Sequence, residues 1–139
     1  MAPSIKAGPV PCVLNAQEFI GRDTNEIISA LGEPICRVLL FGRGGYSWEE
    51  QYIIDDFEIS ILYDQDKVAK VINIRFPTLI KNLGVAKELI GFSDSGNGHT
   101  RAYSVAWINP RKNISEISFL KEVNFIDEGF AEARLTSRK

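Results

Sequence analysis

The sequence predicts an α+β domain in which two short helices pack on one face of an antiparallel β-meander, in a sheet of five to seven strands. Three observations predict it. Phe57, Ile59, Ile61 and Tyr63 alternate with Glu58, Ser60 and Leu62, the period of two that marks a half-buried strand. Turn residues two to four positions long separate this run from strand-like neighbours on either side, as in a meander. Upstream, residues 19–34 carry the capping and stop signals of short helices, which can cover the apolar face of those strands.

The elements follow in order. Residues 1–11 hold three prolines and a glycine and read as an extended leader, without the apolar core a signal peptide needs or a lipobox before Cys12. Residues 12–139 read as a single domain. Asn15 can cap a brief helix over 16–20, ended by Gly21. Asp23 with Glu26 three positions later offers a capping box, and Ile27, Ile28 and Leu31 form an apolar stripe. Gly32 suits the left-handed position after a helix, and Pro34 prevents its continuation. A β-rich run over 35–41 follows, with Cys36 read as a small buried hydrophobe. Gly42-Arg43-Gly44-Gly45 is a hairpin turn rather than an RNA-contacting repeat, since it occurs once in an acidic chain.

Strands over 46–54, 57–63 and 68–76 complete the meander. Pro77 is expected to break the last of them, and residues 78–92 to form a helix. A polar, glycine-rich loop spans 93–100. Strands are expected over 103–108, ended by Asn109-Pro110, and over 114–123. The last segment, 129–136, reads either as a strand or as a short helix, because Ala131, Ala133 and Leu135 alternate within a sequence of good helix formers. The second half thus repeats the order of the first, helix then strands. That order fits two degenerate copies meeting near Pro77 or one continuous sheet. The single sheet is preferred, because units of about 60 residues bury little core.

The chain has 139 residues and a net charge of −2. Such a balance argues against a general nucleic-acid binder or an anionic-membrane binder. No apolar run approaches the roughly 18 residues of a spanning helix. Two cysteines, Cys12 and Cys36, make no disulfide framework, so a reduced, cytoplasmic protein is expected.

The pattern Gly21-x-x-Thr24-x-Glu26-Ile27-x-x-x-Leu31-Gly32-x-Pro34 is followed by Tyr46, Trp48 and Tyr52, then by the 57–63 strand and Val68-x-x-Val71. It resembles the SmpA/OmlA and β-lactamase-inhibitor-protein-like fold over residues 19–76. The resemblance implies short helices on a four-stranded antiparallel sheet, sometimes in tandem. It also implies a non-enzymatic module that binds another protein through its outer sheet face. Envelope lipoprotein members carry a lipobox, which this sequence lacks.

Few residues suggest chemistry. His99 is the one histidine, so a two-histidine metal site is impossible, and no metal or cofactor is expected. Ser95, Asn97, His99 and Arg101 are candidates for a weak anion-binding loop. A pocket between helix and sheet near His99 would be the basis of an alternative small-molecule-binding or enzymatic function. The preferred site is the polar strand face, with Glu49, Gln51, Glu58, Ser60, Asn73 and Arg75 as protein-binding residues. The expected partner is another protein with a basic surface, such as a toxin or enzyme that an immunity- or inhibitor-type protein would block. Glu50 falls in register with Tyr46, Trp48 and Tyr52, so it needs an arginine, an edge strand or a shifted face.

Overall fold

The computed structural model describes residues 12–93, 98–123 and 126–138. The leader expected over 1–11 lies outside them. Among the described residues, eight strands form one antiparallel sheet. They are β1 (Cys36–Leu39), β2 (Trp48–Ile54), β3 (Phe57–Tyr63), β4 (Ala69–Ile80), β5 (His99–Thr100), β6 (Ser104–Arg111), β7 (Ile114–Val123) and β8 (Glu128–Ser137). Two helices accompany them, α1 (Thr24–Leu31) and α2 (Leu83–Leu89), with 3-10 turns at Ala16–Glu18 and Arg43–Gly45. The α+β expectation is corrected by this content. With 51% strand and 17% helix the fold is mostly β, and eight strands replace the five to seven expected.

The spatial order is β1-β2-β3-β4-β8-β7-β6-β5. Each half is a four-stranded meander that follows a helix. The last strands of the two meanders, β4 and β8, pair at the centre, with Val71 opposite Thr136 and Ile74 opposite Ala133. This pairing unites residues about 60 positions apart into one sheet. It leaves β1 and β5 as the two edges.

The first helix forms as its punctuation dictates. The Asp23 carboxylate accepts from the Glu26 amide at 2.8 Å, and Glu26 Oε1 accepts from the Asp23 amide at 3.1 Å. Gly32 ends the helix at φ 87° and donates to the Ile28 carbonyl. Backbone bonds from Gly21 to the Ala69 carbonyl and from Thr24 to the Lys67 carbonyl clip the start of α1 to the turn entering β4. The brief helix expected over 16–20 is instead one 3-10 turn.

The helices cover one face of the sheet only. Leu14, Phe19, Ile20 and Ile27 from the first helical segment, and Ala86, Leu89, Ile90 and Phe92 from the second, pack in one core. They meet Ile59, Ile61, Ile72, Ile74, Ile117, Phe119, Ala133 and Leu135 from the central strands. Ile28 and Leu31 are only half-buried, so Ile27 carries most of the α1 contact.

Three further expectations are corrected. Pro77 lies inside β4, which runs on to Ile80 and shortens the expected 78–92 helix to Leu83–Leu89. The proline is tolerated because the β4–β8 register shifts between Arg75 and Ile80, and a bulge needs no ladder donor there. Gly129 sits opposite that bulge. A Cβ on it would lie 3.0 Å from the Ile80 carbonyl oxygen, so the close approach of β8 requires glycine. Asn109 and Pro110 likewise fall within β6, where Asn109 takes φ 51° at a second register shift. Cys36 is exposed, because it lies opposite Gln51 and so faces the uncovered side of edge strand β1, and both Cys12 and Cys36 are free thiols.

Candidate functional site on the open face of the sheet

The alternation along each strand sends one set of side chains to the core and the other to the uncovered face. Pairing then sets the outward residues in rows across strands. One row runs Gln51, Ser60, Asn73, Arg134 and Ser118. The next runs Ile53, Glu58, Arg75 and Glu132. Together with Glu49 and Ile35 these residues, Ser118 excepted, line a trough of about 410 Å³. The six residues Glu49, Gln51, Glu58, Ser60, Asn73 and Arg75 are thus neighbours on one surface. Glu132 and Arg134 complete it, and sequence reasoning missed them. The alternation in residues 131–135 was the signal for them, but only the β4–β8 pairing places that strand beside Asn73.

The trough has an electrostatic polarity. Arg75 is held by Glu132 at 3.6 Å and Glu122 at 3.7 Å, and Arg134 donates through Nε to Asn73 Oδ1 at 2.7 Å. Glu49 accepts from the Ser60 hydroxyl and from Gln51 Nε2. Among the described residues, neither Glu49 nor Glu58 has a cation within ion-pair distance. Arg75 is neutralised by carboxylates within the protein, Arg134 engages only the neutral Asn73 amide among the described residues, and the two glutamates have no cation of their own. The β2–β3 side of the trough therefore presents uncompensated negative charge beside the exposed Ile53.

The reverse side of the same strands is different. Glu50 is fully buried, and its Oε2 accepts from Arg37 Nε at 2.9 Å and from Arg37 Nη2. The arginine it needed therefore comes from edge strand β1. Burial pushes the Tyr52 phenol up to about 12, helped by the charges of Glu50 and Glu33. Burial, then Glu50, raises the Tyr63 phenol further. Both groups keep their protons in the fold above the ordinary phenol value of about 10, where the unfolded chain loses them. Their contribution to stability is full below that pH and declines as pH rises through it. Urea melts should lose stability steadily from about pH 10 toward pH 12, and Tyr52→Phe should flatten that slope.

Of the four anion-loop candidates, His99 and Arg101 are among the described residues. His99 is exposed on β5 opposite Ala106, and Arg101 is paired with Glu116 at 3.3 Å. Ser95 and Asn97 lie outside the described residues. Neither the trough nor a second hollow, lined by Gly44, Gly45, Tyr46, Asp64, Lys70, Thr136 and Ser137, includes His99. Among the described residues, no group of three or more His, Cys, Asp or Glu side chains is placed to hold a metal ion. No helix among them is long and apolar enough to cross a membrane.

No family model and no curated protein matches the chain. Among solved structures it is similar to an extracellular protein containing an SCP domain from Bacillus anthracis str. Ames, at 11% identity and a TM-score of 0.50. The likeness covers 98% of this chain and 49% of that one, so the chain spans about half the length of that structure. At this identity the likeness bears on the fold alone.

Proposed function

We propose that this chain is a non-enzymatic protein-binding module, of the immunity or inhibitor type, that docks the open face of its sheet on a partner protein. The observation that carries this reading is the trough with its two uncompensated carboxylates, Glu49 and Glu58, on a face that no helix covers. Solvent-facing charge of one sign steers association and selects a partner of the other sign. The partner therefore presents basic groups, as a toxin or an enzyme with a cationic active site does. The resemblance of residues 19–76 to the β-lactamase-inhibitor-protein-like fold supports the same use of the face. A cytoplasmic setting is supported by the two free, exposed thiols, which a reducing compartment preserves; the extracellular description belongs to the structural neighbour.

The test is charge reversal. Glu49→Lys with Glu58→Lys should weaken partner binding by tenfold or more, about 1.4 kcal/mol. Thermal stability should move little, since neither carboxylate is buried. A double variant that binds normally, or one that unfolds, would remove this face from consideration as the docking surface.

A further inference from the structure

The sheet ends in two unlike edges. β5 is two residues long, whereas the pairing of β1 is extended past both ends by bonds from the Ile35 amide to the Gln51 carbonyl and from the Leu40 amide to the Ser47 carbonyl. β1 lacks the proline or outward charge that usually blunts an edge, since its one charge, Arg37, is turned onto Glu50. Ile35, Leu39 and Phe41 beside it are more than half exposed. The phase of the ladder shows which backbone groups are free. Asp55 and Asp56, both left-handed, make a two-residue hairpin loop, so Ile54 and Phe57 form a hydrogen-bonded pair. Alternation from there turns the backbone of Trp48 and Glu50 to β3 and that of Glu49 and Gln51 to β1. Their partners Val38 and Cys36 bond inward, and Arg37 and Leu39 turn their N–H and C=O groups outward.

A second copy of the chain is the occupant this edge matches. Opposed residues of an antiparallel pair share a face, so a symmetric pairing of β1 with itself is centred on one residue. Centring on Arg37 would oppose two guanidinium groups. Centring on Val38 lets Arg37 and Leu39, the residues with outward backbone groups, exchange hydrogen bonds with Leu39 and Arg37 of the second copy. Ile35 then meets Phe41, which covers the two most exposed of these side chains. Glu33, beyond one end of the strand, falls beside Arg43, beyond the other. Both are exposed, and among the described residues neither has an ion-pair partner in its own chain. Charge complementarity thus selects this register, since centring on Leu39 would set Ile35 against Arg43. We infer that β1 is a homodimerisation edge, through which two copies join antiparallel about Val38 into one continuous sheet. The two-fold axis stands normal to the sheet, so both troughs face the same way. The inference is independent of the docking reading, because no other protein enters it.

Sedimentation of the full chain and cysteine cross-linking test it. At about 100 μM, well above the micromolar affinity expected of a small interface, the wild type should sediment as a dimer. Leu39→Lys should return it to a monomer by setting a charge on the edge. Arg43→Glu should weaken association severalfold by opposing like charges, and Glu33→Arg added to it should restore the dimer. With Cys12→Ser and Cys36→Ser in place and copper phenanthroline as oxidant, Val38→Cys should give a disulfide-linked dimer, because a non-hydrogen-bonded pair sets its Cα atoms about 4.5 Å apart. A chain that keeps Cys36 alone should not cross-link, because Cys36 lies opposite Leu40 of the second copy. A monomeric wild type overturns the inference and leaves the edge to a strand of another protein or to water. Cross-linking through Cys36 in place of position 38, or a charge swap that fails to restore the dimer, also overturns it, since either excludes the Val38 register.

Discussion

Phe119→Ala is expected to destabilise the fold by about 4 kcal/mol and to lower the melting temperature by roughly 12 °C. Phe119 is fully buried on β7, on the helix-covered side of the sheet. Its ring lies 5.9 Å from Trp107, 6.5 Å from Phe92 and 6.5 Å from Phe130, with the Trp107 and Phe130 contacts edge-to-face. It therefore joins three strands, β6, β7 and β8, to the segment after α2. Truncation removes the transfer free energy of the ring and leaves a cavity among rings that cannot all move inward. With total stabilities of about 5–15 kcal/mol for a domain, the loss falls on a large fraction of what holds the second meander. Urea denaturation monitored by circular dichroism measures it. A loss below about 1 kcal/mol would mean that these rings do not pack as a unit.

The second large effect is expected at Arg37. Arg37→Ala should cost about 3 kcal/mol, although the arginine is half-exposed and sits on an edge strand. The loss arises at its partner. Glu50 is fully buried, so removing the guanidinium leaves a carboxylate without a countercharge in a low-dielectric setting. An exposed ion pair would contribute about 0–1 kcal/mol, so the size of the effect reports the burial of Glu50. Replacing both residues with methionine should recover most of the loss, because no uncompensated charge remains. Urea melts of the single and double variants decide this. If the double variant is as unstable as Arg37→Ala, then packing of the arginine stem, and not the buried charge, holds β1 in place.

Legibility varied along the chain for physical reasons. The capping box at Asp23 and Glu26 and the stop at Gly32 were readable because caps depend on neighbours three or four positions away. The β3 alternation was readable because one buried face imposes it. That Glu50 required an arginine, an edge strand or a shifted face was readable from its place among aromatics, though not which of the three, and Arg37 of β1 is the answer. Non-local pairing was not legible. Residues 78–80 look helical in isolation, yet a bulge against β8 keeps them in β4 through Pro77. Residues 131–135 satisfy both helix propensity and strand alternation, and the empty place beside β4 decides between them. The same pairing hid Glu132 and Arg134 from the candidate site. Glu49, Gln51, Glu58, Ser60, Asn73 and Arg75 could be nominated together because their outward direction follows from alternation within adjacent strands. Cys36 was misjudged because its pairing with Gln51, which turns it to the open face at the sheet edge, is a property of the assembled sheet.

The claim that the open face meets a partner can be tested where the partner is present. A photo-crosslinking amino acid can replace Glu58 on the trough, or Asn25 and Glu88 on the exposed sides of the two helices, in cells of the native host. The docking account predicts a single protein adduct from position 58 and none from positions 25 and 88. Adducts from the helix positions with none from position 58 would contradict it and move the interaction to the other side of the molecule.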